Sequence, residues 1–145
     1  MIVEQYSDKY FLDVVRLIEN FHEEAVGEYD NLVNSKAVSE SINAQAGTGT
    51  FLMVVNETCQ GILHGVFTKS PLNDRLVFQE VMWYVNGPFR GHGVKLLKEV
   101  ENRLKLAGVG IMIMAVLENS KTEKLKDLYV KLGYKKMETH YIRSL

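Results

Sequence analysis

The segment spanning residues 76–116 limits the possible folds of this chain more than any other part of it. Residues 76–85 form an apolar stretch rich in Val, Phe, Trp and Tyr, which is typical of a strand. An Asn-Gly-Pro break follows, then leucines and valines at helical spacing over residues 94–107, a glycine stop at Gly108, and a second apolar run at residues 111–116. This order predicts a βαβ unit with two parallel strands and a right-handed crossover.

The segments around this unit predict helices and strands that complete one mixed sheet. Helical spacing begins after Ser7, which is a suitable N-cap, and two apolar stretches joined by Asn-Glu-Thr predict a β-hairpin. Hairpins beside a parallel unit predict an α/β (α+β) fold, with a mixed, mostly antiparallel central sheet flanked by helices. The predicted elements are a strand at 2–3, helices at 11–21 and 35–46, strands at 50–55 and 60–68, a helix at 120–132 and a final strand at 136–143, with a polar loop at 27–34.

Composition fits a single domain over residues 1–145, with 46% hydrophobic and 24% charged residues. The formal net charge of −1 gives no overall field that would attract nucleic acid. Cys59 is the single cysteine, which excludes an internal disulfide or a cysteine-based zinc site and fits a reducing, cytoplasmic compartment. The sequence shows no signal peptide, and no apolar run approaches the roughly 20 residues of a membrane helix.

The turn between the strand and the helix of the βαβ unit has the features of an anion-binding loop. It reads Arg90-Gly91-His92-Gly93-Val94-Lys95. Glycines let the backbone approach a ligand closely, and the first N–H groups of a helix have no internal partner. The helix dipole adds partial positive charge, and the Arg90 guanidinium adds forked donors. The loop therefore predicts a phosphate site, with a plain glycine-rich turn as the alternative.

Two other phosphate-binding motifs do not fit this spacing. A P-loop needs Lys-Ser/Thr directly after its last glycine, whereas Gly93 is followed by Val94 and Lys95. A dinucleotide fingerprint needs a third glycine at the position of Leu96. A nucleotide hydrolase is disfavoured for the same reason, and because no paired acidic metal site is visible.

With this loop the sequence resembles the GNAT (Gcn5-related N-acetyltransferase) family over most of its length. The family's acyl-coenzyme A signature is Arg/Gln-x-x-Gly-x-Gly/Ala after an apolar residue that ends a strand, and Val85 followed by residues 90–95 matches it. Lys95 departs from the signature, because the family usually has a small residue there. A second feature, an Asn and then Tyr-x-x-x-Gly-Phe/Tyr, is matched by Asn119 and residues 129–134.

The resemblance implies an acetyl-coenzyme A-dependent N-acetyltransferase in which a primary amine attacks the thioester directly, without a metal. The strand end at Tyr84 and Val85 is then expected to pair with the pantetheine arm and to donate to the oxyanion. Tyr129 matches the tyrosine that often supplies a proton to the departing thiolate. The further residues expected to bind the cofactor are Arg90, Gly91, His92, Gly93, Val94, Lys95 and Asn119.

The general base stays open between several residues. Glu80 precedes Val85 by five positions, where some GNAT relatives place a catalytic glutamate. His64 on the preceding strand has a side chain that titrates near neutrality, and His22 and Glu28 are also candidates near the acceptor. A lone strand glutamate is more often solvated or paired, and a histidine is more often structural.

The distribution of charge suggests a cationic acceptor. Five acids, and no Lys or Arg, lie in the region that borders the acceptor in this family: Glu19, Glu23, Glu24, Glu28 and Asp30. Six lysines lie between Lys121 and Lys136, near the nucleotide end of the cofactor. Opposite charges on the two sides would suit a cationic amine and a phosphorylated adenosine, and two solvated helix faces are the alternative.

A non-catalytic acyl-coenzyme A-binding or interaction module on the same fold is the second functional class that the sequence allows. Binding of acetyl-coenzyme A without turnover on any amine would favour it. The identity of the amine, whether small molecule or peptide, is not encoded in any motif, because acceptor loops vary freely on one scaffold. The sequence also leaves the oligomeric state open, a homodimer included.

Overall fold

The structure, a computed structural model, describes residues 1–25, 35–117 and 121–145 and contains one five-stranded sheet with helices on both faces. The predicted loop at 27–34 and the candidates Glu28, Asp30 and Asn119 lie outside the described residues. The elements are β1 (Ile2–Gln5), α1 (Phe11–Ala25), α2 (Ser35–Ala44), β2 (Thr50–Val55), β3 (Thr58–Lys69), β4 (Leu76–Val85), α3 (Gly93–Leu106), β5 (Ile111–Ile113) and α4 (Thr122–Lys131), with 3-10 turns at Asp8–Tyr10 and Gly87–His92.

The strands lie in the order β1-β2-β3-β4-β5. The first three pairings are antiparallel, whereas β4 and β5 are parallel with α3 between them in sequence. The βαβ unit and the mixed, mostly antiparallel sheet are therefore confirmed. None of the described helices is both long and apolar enough to cross a membrane.

Two apolar cores form, one on each face of the sheet. The α1 and α2 core contains Val14, Leu17, Ile18, Ile42, Leu52, Ile62 and Met82. The α3 and α4 core contains Phe51, Leu63, Phe78, Leu96, Leu97, Val100 and Tyr129. Burying each large aliphatic or aromatic side chain of this kind contributes about 1.5–3 kcal/mol, so the two cores hold both helical layers on the sheet.

A β-bulge interrupts β4 near its middle. His64 on β3 pairs with Met82, but the next residue, Gly65, pairs with Glu80. Val81 is therefore an extra residue on β4, and a bulge of this kind shifts the alternation of the side chains that follow it.

The bulge decides which face of the sheet the side chains near it meet. Phe78 before the bulge and Trp83 after it both join the α3 and α4 core, although they are separated by an odd number of positions. In a regular strand they would lie on opposite faces. Met82 packs instead under α1 and α2. The register thereby places aromatic side chains from both halves of β4 beneath α3 and α4.

Gly65 is the residue opposite the bulge that requires a glycine. A Cβ there would lie 2.5 Å from the Gln79 carbonyl oxygen and 2.5 Å from the Phe78 ring. We expect Gly65→Ala to lower the free energy of unfolding by about 1–3 kcal/mol, because backbone must move to accept the methyl group. Gly91→Ala is the matched control, since a Cβ there meets no described atom within 4 Å. Urea unfolding measures both, and equal effects would contradict the packing argument.

Three local predictions differ from the structure. The strand expected at 111–116 pairs only over Ile111–Ile113, and the predicted final strand at 136–143 is wrong, because residues 134–145 have no regular structure. The alternation in the tail has no buried face to fill, since Tyr141 is 94% and Ile142 67% exposed. Ser7 precedes the first 3-10 turn but makes no side-chain cap bond.

Candidate active site

The site lies where β4 and β5 stop pairing. Residues 77–79 of β4 pair with residues 111–113 of β5, and no further ladder pair follows between the two strands. β4 nevertheless continues to Val85. Apart from the bulge residue Val81, residues 80–85 pair with β3, and they have no strand on the β5 side in the described part of the chain. An edge of this kind can accept an extended ligand by main-chain hydrogen bonds.

Glu80 is the first residue of β4 after its pairing with β5 ends. Its Oε2 accepts a hydrogen bond from the backbone N–H of Ala115 at 2.7 Å. Burial raises the pKa of the Glu80 carboxyl to about 7, and the Ala115 hydrogen bond only partly opposes this. A carboxyl group with such a pKa exchanges protons readily at neutral pH.

Tyr129 reaches the same peptide from α4. Its hydroxyl donates a hydrogen bond to the Ala115 carbonyl oxygen at 3.0 Å, and the side chain is buried. Burial raises the pKa of Tyr129, and the nearby charges of Glu80 and then Tyr134 raise it further. The two residues predicted to be catalytic thus meet on one residue of the segment that follows β5.

Aromatic rings surround this point, and Trp83 is the one that sequence reasoning missed. The ring centroid of Trp83 lies 6.1 Å from that of Tyr129. The ring of Tyr129 also contacts that of Tyr134, at a centroid distance of 5.4 Å. The indole N–H of Trp83 is buried and has no hydrogen-bond partner among the described residues. The position of Trp83 next to Tyr84, in the strand end expected to pair with the pantetheine arm, is the sequence signal for it.

The predicted anion-binding loop is wound as the 3-10 turn Gly87–His92, which leads directly into α3. Gly93 donates its backbone N–H to the Arg90 carbonyl oxygen, so in this structure the N–H takes part in the turn. This is an i→i−3 hydrogen bond of the 3-10 type, and it occupies the N–H of Gly93, the first residue of α3. His92 and Lys95 are exposed, and Val94 is half-buried.

The glycines of this loop are not explained by the packing of the protein. A Cβ added at Gly87 or Gly91 would meet no described atom within 4 Å, and neither residue has a left-handed backbone. Gly93 is buried, and a Cβ there would make ordinary contacts with Trp83 and Val85. The missing side chains leave the backbone of the turn open from outside, as a bound phosphate group requires.

Arg90 is held by the protein itself. Its Nε donates to the Val85 carbonyl oxygen at 3.3 Å, and its Nη2 contacts Glu24 Oε2 in an ion pair. The other oxygen of Glu24 accepts the Tyr84 hydroxyl at 2.8 Å. The Tyr84 side chain therefore lies toward α1, while its backbone lies on the free edge of β4.

Among the histidines considered as the base, His64 is buried inside the fold and bonded to other side chains. It is fully buried, and its Nδ1 and Nε2 form hydrogen bonds with Thr50 Oγ1 at 2.9 Å and Ser41 Oγ at 3.0 Å. Burial lowers the pKa of its imidazole to about 4. A neutral ring with both nitrogens engaged is not available to a substrate, so His64 is not the base. His22 is half-buried on α1.

An open cavity of about 630 Å³ lies at the other edge of the sheet and contains none of the predicted site residues. Its polar side chains bind within the fold. Tyr10 donates to Glu4 at 2.8 Å, and Asp13 accepts the Cys59 N–H at 2.9 Å. These contacts attach β1 and β3 to the first helical layer, and we assign them a structural role.

The sheet order, the parallel βαβ unit and the early end of the β4–β5 pairing define the fold of the Gcn5-related N-acetyltransferases. The resemblance seen in the sequence is thereby confirmed at the level of the fold. No protein-family model matches the chain, and no curated protein sequence matches it.

Solved structures with this fold include several acetyltransferases. An aminoglycoside acetyltransferase, HMB0005, from an uncultured soil metagenomic sample has a TM-score of 0.73 at 16% identity, covering 99% of this chain and 97% of that one. A second, meta-AAC0020, in complex with sisomicin, has a TM-score of 0.73 at 14% identity and 99% and 95% coverage. A transcriptional regulator from Bacillus halodurans C-125 has a TM-score of 0.76 at 13% identity and 99% coverage of both chains.

Proposed function

We propose that this protein is an acetyl-coenzyme A-dependent N-acetyltransferase that acts on a small cationic amine. The observation that carries the proposal is the convergence of Glu80 and Tyr129 on Ala115, where β4 and β5 stop pairing. Acetyltransferases among the structural neighbours support the reaction class, and the neighbour solved with sisomicin supports a small amine as acceptor.

The chain offers a continuous set of contacts for acetyl-coenzyme A. The free edge of β4 at residues 83–85 suits the amide groups of the pantetheine arm. The loop at residues 87–93, with two glycines that the packing does not require, suits the pyrophosphate. Arg90 supplies a fixed positive charge within this loop, and the exposed Lys95 lies in the first turn of α3.

Glu80 is the proposed base. With its pKa near 7, its carboxylate takes a proton from the acceptor ammonium, and the neutral amine nitrogen then forms a bond to the thioester carbonyl carbon. The carbon–sulfur bond breaks as the amide forms. The nitrogen loses a second proton as the amide forms. Of the two protons, one passes to the departing sulfur and gives the free thiol, and the other is released to solvent, so that the Glu80 carboxylate is regenerated.

Tyr129 has a narrower role than the sequence suggested. Because its pKa is raised, the hydroxyl stays protonated at neutral pH and is a weaker acid than a free tyrosine. Complete proton transfer from it to a thiolate is therefore uphill. We propose that the single O–H of Tyr129 turns from the Ala115 carbonyl oxygen to the departing sulfur and so stabilises its developing charge.

Two measurements test the proposal. Isothermal titration with acetyl-coenzyme A should show binding, and a thiol-release assay over aminoglycosides, polyamines and amino acids should show turnover with at least one cationic amine. Binding without turnover on any amine of the panel would favour the non-catalytic module. Absence of binding would contradict both.

Arg90→Ala should weaken coenzyme A binding by about 10-fold or more, because hydrogen bonds from a charged donor contribute about 1.5–3 kcal/mol each. Arg143→Ala is the control, since it removes the same charge from the exposed tail. Titrations at low and high salt compare the two variants. Equal affinities would show that Arg90 does not contact the phosphates, and a circular-dichroism melt confirms that each variant is folded.

A further inference from the structure

Glu24 connects three parts of the molecule, namely α1, the anion-binding loop and the end of β4. It lies in the last turn of α1, on the side where the acceptor was expected, and contacts Arg90 of the anion-binding loop. Its second oxygen accepts the hydroxyl of Tyr84 from the end of β4. A single carboxylate thus bridges the acceptor side and the cofactor side.

The charge state of this bridge is defined by its surroundings. The Tyr84 hydrogen bond and then the Arg90 charge hold the pKa of Glu24 below its usual value, and Lys121 acts in the same direction. Glu24 is therefore ionised at neutral pH. It binds Arg90 with the same charge-assisted geometry that a phosphate oxygen would use.

Both partners of the ion pair remain accessible to a ligand. The side chains of Arg90 and Glu24 are 44% and 42% exposed. Exposed ion pairs contribute about 0–1 kcal/mol, so a pyrophosphate with two negative charges can displace the carboxylate at small cost. The Tyr84 hydroxyl donates to Oε1 of Glu24, the oxygen that is not in the ion pair, so it can keep Glu24 in place after the exchange.

We propose that Glu24 is an exchangeable counter-ion of the cofactor loop, which occupies Arg90 in the free protein and yields it to the pyrophosphate. Once Arg90 binds the pyrophosphate, the Glu24 carboxylate has lost the charge of Arg90 and attracts the ammonium group of the acceptor. This exchange favours binding of the cofactor first and of the cationic amine second. The inference rests on the proposed function and assigns Glu24 as a positioning residue for both substrates.

The test is the coenzyme A affinity of Glu24→Gln. If Glu24 competes with the pyrophosphate, removing its charge should tighten coenzyme A binding by about 3- to 5-fold, the equivalent of an exposed ion pair. The same variant should raise the acceptor KM, because the ammonium group loses its counter-ion. Glu23→Gln is the matched control for affinity, since it removes an equal charge from the adjacent exposed residue.

The outcomes separate this inference from the proposed function. A variant damaged only in structure would bind coenzyme A more weakly, whereas removal of a competitor tightens binding. Equal or weaker binding in Glu24→Gln, or the same tightening in Glu23→Gln, overturns the counter-ion role, while coenzyme A binding and amine-dependent thiol release by the wild type uphold the proposed function. Failure of wild type and both variants to bind coenzyme A overturns both.

Discussion

Glu80→Gln is expected to lower kcat/KM by about 10²- to 10⁴-fold, the usual contribution of a positioned acid or base. Glutamine has nearly the same size, and its amide oxygen can still accept the Ala115 N–H. The variant therefore removes the proton-accepting group while keeping the contact between β4 and the segment after β5. A thiol-release assay with saturating acetyl-coenzyme A measures the loss.

The pH profile gives this prediction a second readout. In the wild type, kcat/KM should rise with pH through about 7, because the Glu80 carboxyl must lose its proton to act as a base. Glu80→Gln should lack this limb and keep only the rise at the higher pKa of the acceptor amine. A variant that loses activity without a change in the shape of the profile would assign Glu80 a structural role.

Protein stability is the control for this prediction, because Glu80→Gln should lower the activity but raise the stability. The folded-state pKa of Glu80 is raised from 4.5 to about 7, so its protonated form is the favoured one in the fold. The stability that this proton contributes is complete below pH 4.5 and is lost as pH rises through about 7. Glu80→Gln should therefore gain Tm relative to the wild type between pH 5 and pH 8.

The fold could be predicted because its signals are local. The βαβ unit is specified by an apolar strand, a glycine-rich turn and a helical stripe, all within 41 consecutive residues (76–116). The strand predicted in the tail is wrong, because an alternating pattern forms a strand only where it can pair with a sheet edge or pack on a core. Residues 136–143 have the pattern and find no partner in the described fold.

The site could be predicted only in part, because its contacts depend on register. Glu80 and Tyr129 were identifiable as candidates, but their meeting at Ala115 depends on the Val81 bulge and on the early end of the β5 pairing. β4 is buried on both faces at several positions, so its sequence has no alternation from which a bulge could be detected. Gly65 opposite the bulge was the one available sign.

The ion pair between Arg90 and Glu24 could not be predicted from the sequence, for a different reason. In the sequence, Arg90 belongs to the anion-binding loop on the cofactor side, and Glu24 to the acidic segment expected on the acceptor side. The two residues are 66 positions apart, and their ion pair follows from how α1 packs across the end of β4. Such a contact is a consequence of tertiary structure and has no signature in the spacing of residues.

His64 should make the protein labile to acid. Its folded-state pKa is lowered from 6.5 to about 4, because the buried ring is favoured in its neutral form. The corresponding stability is fully present above pH 6.5 and is lost as pH falls through about 4. A difference of this size is equivalent to about 3 kcal/mol, since one pKa unit corresponds to about 1.4 kcal/mol.

His64→Gln separates this effect from the loss of contacts. A glutamine amide can form hydrogen bonds with Ser41 and Thr50 but does not titrate, so the variant should be less stable than the wild type at pH 7 and approach it at pH 4.5. Urea unfolding at both pH values measures the difference, in which the other titrating groups cancel. His140→Gln in the exposed tail should change neither value. Unfolding free energies that fall in parallel for wild type and His64→Gln would show that the acid sensitivity originates elsewhere.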